Sequence, residues 1–334
     1  MTKHYNIPIF IPGLACPQQC SFCNQDQISG HSGFPDVEEI KMKIDAHLAS
    51  YTAHDREVEI AFFGGTFTGL PTKIQEKYLS IAKPYVESGA VSGIRISTRP
   101  DYIDEENLGL LKYFGVDTIE LGAQSLDDEV LLRCNRGHTA GDVCNASEMI
   151  IRFGFTLGLQ MMIGLPGDSP QKSMATAQKI IALGAKETRI YPCLIISDTE
   201  LAREYAKGLY TPYDLEVAIR LSAELVLMFE KDEVKVIRLG LHRSEELQAG
   251  AMIAGPYHNS FKELVMTEIW NRIFVSGMNE MHSETIHLHV KPSELNYAVG
   301  YQAKNKNMLL NKFRQVKFSG DTNIVGRDFY VNTF

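Results

Sequence analysis

The chain has 334 residues, of which 44% are hydrophobic and 22% charged, a balance that suits one large globular domain and a small one. No apolar run approaches the roughly 20 residues that span a bilayer, and the first residues lack the features of a signal peptide, so we expect a cytoplasmic protein. The net charge of −8 argues against a protein coated in nucleic acid, but the charge is uneven. The segment from Ile286 to Phe334 has seven basic and three acidic residues, which makes it +4 and the remaining chain −12.

Apolar or β-branched runs alternate with helix-length amphipathic stretches through the first two hundred residues. The predicted strands are Ile7–Ile11, Val58–Phe63, Ile94–Ser97, Thr118–Leu121, Thr156–Ile163 and Thr188–Ile196. The predicted helices between them are Val37–Tyr51, Lys73–Val86, Glu105–Phe114 and Pro170–Leu183. This alternation is typical of parallel βαβ units, and six strands predict a partial (β/α)6 TIM-like barrel. In such barrels the chemistry lies at the carboxyl ends of the strands.

The pattern changes after Asp198. We predict a helical and strand extension over residues 201–284, with helices at Asp214–Glu230 and Phe261–Val275 and a strand at Val234–Leu239. Residues 285–334 are predicted to form a small basic α+β unit. Its expected elements are a strand at Ile286–Val290, a helix at Pro292–Val299, a turn at Gly300–Ala303, a helix at Lys304–Phe313 and strands at Gln315–Ser319 and Asp328–Thr333. The predicted division is therefore a barrel core over 1–200, the extension, and this unit.

Three of the six cysteines follow the first predicted strand, in the stretch CPQQCSFC at Cys16, Cys20 and Cys23. A secreted disulfide framework would space its cysteines more evenly, so the cluster predicts a metal site in a reducing compartment. Three thiolates on one loop can hold three corners of a 4Fe–4S cubane and leave the fourth iron open to a substrate. A zinc site with His31 as fourth ligand, or plain thiols, are the alternatives.

The cysteine loop resembles the signature of the radical S-adenosylmethionine superfamily, over about residues 5 to 200. The resemblance implies that the three cysteines bind a 4Fe–4S cluster whose open iron binds the methionine moiety of S-adenosyl-L-methionine (SAM). It further implies that reductive cleavage of SAM yields a 5′-deoxyadenosyl radical, with the protein supplying position and exclusion of water. An electron donor of the flavodoxin or ferredoxin type is the implied partner.

The resemblance also implies the residues that bind the cofactor. They are Phe22 against the adenine, Gly64, Gly65 and Thr66 near the methionine amino group, Ser97, Gln124 and Gln160 at the ribose, Arg136 at the carboxylate, and the backbone around Tyr191 beside the adenine. A guanidinium can pair with a carboxylate through two hydrogen bonds, although Arg136 could also be a solvated arginine at a helix end. Gln160 could equally be an ordinary polar residue of a strand.

Within the superfamily, four strings resemble the radical domain of the catalytic subunit of Elongator and its bacterial and archaeal relatives. They are GGTFTGLP (64–71), STRPDYID (97–104), ELGAQSLDDEVL (120–131) and RGHT (136–139). Elongator's catalytic subunit carries a further acetyltransferase domain, and since this sequence ends at Phe334 we expect an Elongator-like radical SAM protein without it. The resemblance and the charge asymmetry make RNA, and tRNA in particular, the expected substrate.

Three alternatives to an RNA-modifying enzyme remain open. The first is a small-molecule or peptide substrate. The second is a coproporphyrinogen dehydrogenase-like activity, although that branch usually has a fourth cysteine where this chain has Gln25. The third is a non-catalytic iron–sulfur RNA-binding protein, which the intact set of three cysteines disfavours because it would not need an open iron.

The basic unit resembles a KH-like RNA-binding fold, in which a GxxG loop between two helices clamps the nucleic-acid backbone. Here the loop reads GYQA, with Ala303 in place of the second glycine and with Lys304 and Lys306 next to it. RNA contact and a merely structural cap both fit this pattern. His287 and His289 alternate on a predicted strand and so share one face. They are either ordinary surface residues or a pair of metal ligands for which no third ligand is apparent.

Two residues near the end of the Val234–Leu239 strand are candidates for the substrate cavity. They are Arg238 and His242, for which a structural polar role is the alternative.

Overall fold

The computed structural model describes residues 3–11, 16, 19–24, 35–51, 56–241, 250–278, 281 and 283–333. The chain divides into two compact units, Met1–Tyr213 with Phe229–Pro256 and Asp214–Met228 with Tyr257–Phe334. The boundaries at residues 200 and 285 stay a prediction. Among the described residues, no helix has the length and the apolar composition that a membrane crossing needs.

A seven-stranded sheet forms the centre of the first unit. Its strands are β1 Lys3–Ile11, β2 Arg56–Gly64, β3 Gly93–Thr98, β4 Val116–Gln124, β5 Thr156–Ile163, β6 Glu187–Pro192 and β8 Lys235–Leu239. They lie in that order across the sheet, and each neighbouring pair is parallel. Parallel neighbours in chain order are the result of consecutive βαβ units. The predicted partial barrel is confirmed, and β8 extends it to seven strands.

Helices connect the strands of this sheet. They are α1 Val37–Ser50, α2 Thr72–Glu87, α3 Glu105–Tyr113, α4 Asp128–Arg133, α5 Ala140–Arg152, α6 Pro170–Ala182 and α7 Glu200–Ala206. A further helix, α8 Leu215–Lys231, precedes β8 in the chain, and most of it belongs to the second unit. Helix α5 was not among the helices predicted from the sequence. Its start is nevertheless marked by a capping box, in which the Thr139 and Asp142 side chains bond each other's backbone N–H groups.

The sixth predicted strand, Thr188–Ile196, is wrong in extent, because β6 ends at Pro192. Proline has no N–H with which to continue a ladder, and the chain leaves the sheet after the Cys193 N–H donates to the Ile163 carbonyl at 2.9 Å. The residues that follow form a separate short strand, β7 Ile195–Ile196, antiparallel to β9 Met252–Ala254.

Alternate side chains of the sheet point to opposite sides. On one side Ile60 and Phe62 are fully buried, and the Phe62 ring lies 6.2 Å from that of Tyr78 on α2. On the other side, which faces the lumen of the partial barrel, lies a network of buried ionic side chains. Its members are Glu59, Arg95, Glu120, Glu187 and Arg189. The lower lumen is therefore filled by ion pairs rather than by aliphatic side chains.

The second unit is built around a three-stranded sheet. Its elements are α9 Phe261–Gly277, β10 Thr285–Val290, α10 Leu295–Val299, α11 Lys304–Leu310, β11 Gln315–Gly320 and β12 Phe329–Thr333. In the sheet β10 lies between β11, which is parallel to it, and β12, which is antiparallel. Trp270 and Phe274 of α9 pack with Ile286 and Leu288 of β10 to form the core. The predicted order of strands and helices is confirmed.

Candidate active site

The cysteine loop follows the carboxyl end of β1. Cys20 is buried, whereas Cys16 and Cys23 are half-buried. Two backbone hydrogen bonds anchor the loop, since the Ser21 N–H donates to the Cys134 carbonyl at 2.9 Å and the Ser21 carbonyl accepts from Leu201 at 2.8 Å.

Two of the loop's sulfur atoms meet polar groups from other loops, Thr66 after β2 and Arg136 after α4. The Cys16 sulfur lies 3.4 Å from the Thr66 hydroxyl, and the Cys20 sulfur accepts from the Arg136 guanidinium at 3.3 Å. Hydrogen bonds and positive charge stabilise a thiolate, which is the form that binds iron. Within the described ranges, no three cysteine, histidine or carboxylate side chains converge on one point, as a single zinc ion requires. A cubane does not require this, because each cysteine binds a different iron.

The Gly64-Gly65-Thr66 segment lies directly beside the end of β1. Gly64 has a φ of +113°, and a Cβ there would lie 2.2 Å from the Ile11 carbonyl oxygen, so only glycine fits. The Gly65 N–H donates to the same oxygen at 2.9 Å. The Thr66 side chain is 1% exposed and turned toward the cysteine loop. These glycines therefore let two strand ends approach each other, and Thr66 faces the cysteine loop.

Ser97 and Gln160 are brought together in the lumen. The Gln160 amide nitrogen donates to the Glu120 carboxylate at 3.0 Å and lies 3.5 Å from the Ser97 hydroxyl. A carboxylate accepts only, so it fixes which end of the amide faces it. The Gln160 oxygen is then left as an acceptor, which suits a hydroxyl donor such as a ribose. Glu120 was not predicted from the sequence.

The end of β4 brings Gln124 and Arg136 together around Gly122. A Cβ on Gly122 would lie 2.9 Å from the Arg136 guanidinium and 3.0 Å from the Gln124 amide, and the Gly122 carbonyl accepts from Arg136 at 2.6 Å. Gln124 has a φ of 65°, a conformation that non-glycine residues adopt at a cost and that is frequent at functional sites. The Gln124 amide oxygen and the Arg136 Nε are buried and have no hydrogen-bond partner in the described part of the chain.

Arg99 and His138 complete the site and were not predicted. Arg99 is buried, and it donates to Asp101 through Nε and Nη2 at 2.9 and 2.8 Å, while its Nη1 has no partner among the described side chains. Burial lowers the pKa of His138 to about 4, with help from the charges of Arg136 and Arg99, so its ring is neutral at physiological pH. Arg99 in STRPD was a usable signal, because it directly follows β3, whereas His138 in RGHT lies in the loop between α4 and α5.

Phe22 and Tyr191 lie in different surroundings. Phe22 is half-buried and packs against an apolar cluster that includes Leu165 and Cys193. Burial raises the pKa of Tyr191, and the nearby charges of Arg189 and Arg238 oppose the rise. The Tyr191 side chain thus belongs to the charged lumen rather than to the apolar cluster. His242 lies outside the described residues.

These surroundings fit the two groups that the sequence resemblance implies. Buried donors without partners, on Arg99 and Arg136, suit an anionic group such as a carboxylate. A buried acceptor on Gln124 and the acceptor oxygen of Gln160 suit hydroxyl or ammonium donors. Leaving such atoms unpaired costs free energy that a bound ligand would recover.

Comparisons with known proteins agree with this site. The profile of the Radical SAM superfamily matches residues 10–180, and that of the Radical_SAM C-terminal domain matches residues 185–271. An uncharacterized protein of Methanocaldococcus jannaschii is 31% identical over 225 residues, which are 64% of this chain and 68% of that protein. A tRNA uridine(34) acetyltransferase of Dehalococcoides mccartyi is 24% identical over 62% of this chain and 52% of its own length.

The archaeal Elp3 of Methanocaldococcus infernus shares the fold, with a TM-score of 0.65 and 21% identity over 81% of this chain and 64% of that one. The predicted resemblance to Elongator relatives is confirmed. The chain spans about half the length of the tRNA acetyltransferase that it matches. Because the superfamily profile covers more than half of the sequence, the chain belongs to the radical S-adenosylmethionine superfamily and is a radical SAM enzyme.

Proposed function

We propose that this chain binds a 4Fe–4S cluster through Cys16, Cys20 and Cys23 and cleaves SAM reductively. The observation that carries the proposal is the pair of polar contacts that reach the cysteine sulfurs from two separate loops, Thr66 after β2 and Arg136 after α4. When bound, the cluster supplies one electron to the sulfonium of SAM, so that a carbon–sulfur bond breaks and methionine and a 5′-deoxyadenosyl radical result.

The residues around the loop have distinct roles in this proposal. Arg136 and Arg99 present buried donors to the methionine carboxylate, and their positive charge also stabilises the anionic cluster. Gln160 accepts from a ribose hydroxyl while Glu120 holds its amide nitrogen. Phe22 offers an aromatic surface to the adenine. Neutral His138 adds no further charge to a site that two arginines already make positive.

RNA is the proposed substrate class, and tRNA the proposed kind of RNA. Two observations support it, namely the name of the relative from Dehalococcoides mccartyi, which is a tRNA uridine(34) acetyltransferase, and the +4 charge of the segment after Ile286. We further propose a flavodoxin- or ferredoxin-type electron donor and a cytoplasmic location, because the site needs a low-potential electron and reduced thiols.

The cluster and SAM cleavage are tested together by anaerobic reconstitution with iron and sulfide. The reconstituted protein, given dithionite and SAM, should form 5′-deoxyadenosine. Cys20→Ala should lose both the cluster spectrum and the product, whereas Cys144→Ala, an exposed thiol on α5, should retain both. A cluster-replete protein that forms no 5′-deoxyadenosine would refute the proposed reaction.

The RNA substrate is tested by nucleoside mass spectrometry of RNA from a strain that lacks the gene, compared with its parent. We expect one modified nucleoside to disappear and to return when the wild-type gene is restored. The Cys20→Ala gene should not restore it, which separates the enzyme's chemistry from binding alone. Identical nucleoside profiles in all strains would contradict an RNA substrate and leave SAM cleavage unaffected.

A small-molecule or peptide substrate is the second candidate, and one observation favours it. Arg238 on the added strand β8 is half-buried beside Tyr191, in the lumen, where it could bind an anionic group of a small substrate. Under this alternative, 5′-deoxyadenosine formation should increase with a deproteinised, RNase-treated metabolite extract. Under the RNA proposal, only untreated RNA should increase it.

A further inference from the structure

The exposed face of the sheet in the second unit carries six polar and aromatic side chains in two rows. Strand register places His287 between Lys317 and Asn332, and His289 between Ser319 and Tyr330. We call these six residues the stacking face. The intervening residues of the central strand, Ile286, Leu288 and Val290, are buried on the opposite side, so the two faces of the sheet differ sharply in polarity.

Three rings on the stacking face form a continuous row, in which His289 and Tyr330 are stacked and His287 and His289 are tilted by 38°. The ring centroids of His287 and His289 are 4.2 Å apart, and those of His289 and Tyr330 are 4.5 Å apart with planes inclined by only 8°. Hydrogen bonds hold the imidazoles in place, since His287 bonds the Ser319 hydroxyl at 2.7 Å and His289 bonds the Asn332 amide at 3.3 Å. The rings are therefore ordered before any ligand arrives, which reduces the entropic cost of binding.

The charge of the stacking face is positive. None of its six residues is acidic, and Lys317 is exposed at its edge. One carboxylate contacts the face, since Asp321 accepts from the Tyr330 hydroxyl at 2.9 Å. Burial lowers the pKa of His287, as do the neighbouring His289 and Lys317, so its ring is neutral at physiological pH. The neutral His287 ring, partly exposed beside a lysine and the rings of His289 and Tyr330, suits bases and a phosphate better than it suits a cation.

We propose that the stacking face binds a single-stranded segment of RNA. Bases extend the ring stack at Tyr330, which is 43% exposed, and the sugar–phosphate backbone passes Lys317. The proposal rests on the proposed RNA substrate and adds the surface that holds it, separate from the GYQA loop. RNA is favoured over a protein partner because the face has no large aliphatic side chain, and protein interfaces bury apolar side chains at their centre.

The test is fluorescence anisotropy of a labelled single-stranded RNA oligonucleotide and of unfractionated tRNA, with the full chain. Tyr330→Ala should weaken binding about tenfold, and the double variant with His289→Ala should weaken it further, because each removes a stacking surface. Tyr330→Trp should bind at least as well as wild type, since it keeps the ring and loses only the hydroxyl. Tyr113→Ala, which removes a 70% exposed tyrosine of the first unit, is the matched control and should bind like wild type.

The possible outcomes distinguish a failure of the stacking face from a failure of the proposed RNA substrate. Every variant must show the wild-type midpoint in thermal denaturation. If the alanine variant is misfolded, the comparison of Tyr330→Trp with wild type still tests the stacking surface. If wild type, Tyr330→Ala and Tyr330→Trp all bind RNA with the same affinity, the stacking face is refuted and the RNA substrate survives. If wild type forms 5′-deoxyadenosine but binds neither RNA, the RNA substrate and the stacking face are both refuted.

Discussion

Arg136 links three parts of the site, and its geometry makes a specific demand on the side chain. One terminal nitrogen donates to the Cys20 sulfur, the other donates to the Gly122 carbonyl, and Nε is buried without a partner in the described residues. Only the planar fork of a guanidinium presents donors in these three directions at once. A lysine at this position would keep the charge but lose the fork.

We therefore predict that Arg136→Lys weakens SAM binding by the reconstituted protein about tenfold, a typical effect of losing one charge-assisted hydrogen bond. Isothermal titration with SAM measures the change, and electron paramagnetic resonance of the reduced cluster shows whether the cluster itself is retained. Arg133→Lys is the control, because Arg133 is 58% exposed and paired with Glu129 on the surface of α4. Equal SAM affinity in both variants would show that Arg136 is structural.

The cysteine ligands could be predicted from sequence because their spacing is local, while other site residues could not. Arg99 and Glu120 matter because they are buried beside groups that lie far away in the chain, such as Cys16, Cys20 and Arg189. A sequence shows neither burial nor a distant partner. Thr66 illustrates the same limit, because the motif suggested a contact with the methionine amino group and the structure turns its hydroxyl toward Cys16.

At the scale of elements, the strands of the barrel are joined through their lumen by ion pairs. Arg95 on β3 reaches Glu59 on β2 at 2.8 Å, Glu120 on β4 at 2.9 Å and Glu187 on β6 at 2.5 Å. His4 on β1 bonds the Glu59 carboxylate at 2.6 Å. Removing one partner of such a buried network is costly, because it leaves the others desolvated and unpaired.

This network makes the stability of the first unit depend on pH. Burial alone would raise the pKa of Glu59, but hydrogen bonds and charges from His4 and Arg95 lower it from 4.5 to about 2. The folded state then binds fewer protons than the unfolded state, so the stabilisation is complete above pH 4.5 and is lost as the pH falls to about 2. The size of the pKa shift sets an upper limit of about 3 kcal/mol on the stabilisation that the ionised Glu59 carboxylate contributes.

We expect Glu59→Gln to lower the free energy of unfolding at neutral pH and to reduce its decline in acid. Urea denaturation at a series of pH values, on cluster-free protein, measures both effects. Glu57→Gln, which changes an exposed carboxylate on the same strand, should follow the wild-type curve. If Glu59→Gln lost stability in acid as steeply as wild type, the carboxylate of Glu59 would not be the group that titrates.

The GYQA loop between α10 and α11 contains two residues in a strained backbone conformation. Ala303 has a φ of 59° and Gln302 a φ of 50°, both in the left-handed region, where a side chain costs about 1–2 kcal/mol. Ala303→Gly should therefore raise the free energy of unfolding by about 1 kcal/mol, as measured by urea denaturation. The same substitution at Ala175, an exposed position inside α6, should lower it by about 1 kcal/mol. A destabilised Ala303→Gly variant would contradict the strain.

Element types were predictable wherever hydrophobic periodicity was long, as in the barrel strands and in α8 and α9. The pattern failed where a tertiary contact decides the end of an element. After Pro192 the chain leaves the main sheet, and Ile195 pairs with Ala254 of β9. Ala254 lies 59 residues further along the chain, so the local sequence does not show this partner. Short strands such as β9 have too few residues for periodicity to register.

At the scale of the whole molecule, the charge is divided between an acidic catalytic barrel and a basic end. An acidic surface repels RNA, so the basic segment has to supply the attraction if RNA is the substrate. Lys304 and Lys306 lie next to the GYQA loop, whereas Lys317 belongs to the stacking face. Electrostatic attraction and stacking can be separated experimentally, because only the former releases counterions.

This separation gives a final prediction about the dependence of RNA binding on salt. The logarithm of the association constant should fall linearly with the logarithm of salt concentration, with a slope of about −0.7 for each phosphate neutralised on a single strand. The double variant Lys304→Gln with Lys306→Gln should make the slope smaller in absolute value by about 1.4, because two phosphates are no longer neutralised. Lys41→Gln with Lys77→Gln, in the acidic first unit, should leave it unchanged.

Tyr330→Ala should lower the affinity at every salt concentration while its slope stays that of wild type, because a ring contributes stacking and no charge. If Tyr330→Ala made the slope smaller in absolute value, the ring would act only by positioning Lys317 at a phosphate. A slope that is insensitive to Lys304 and Lys306 would assign the electrostatic contact to the stacking face alone. The two sets of variants thus determine whether the loop and the sheet hold RNA together or whether one of them suffices.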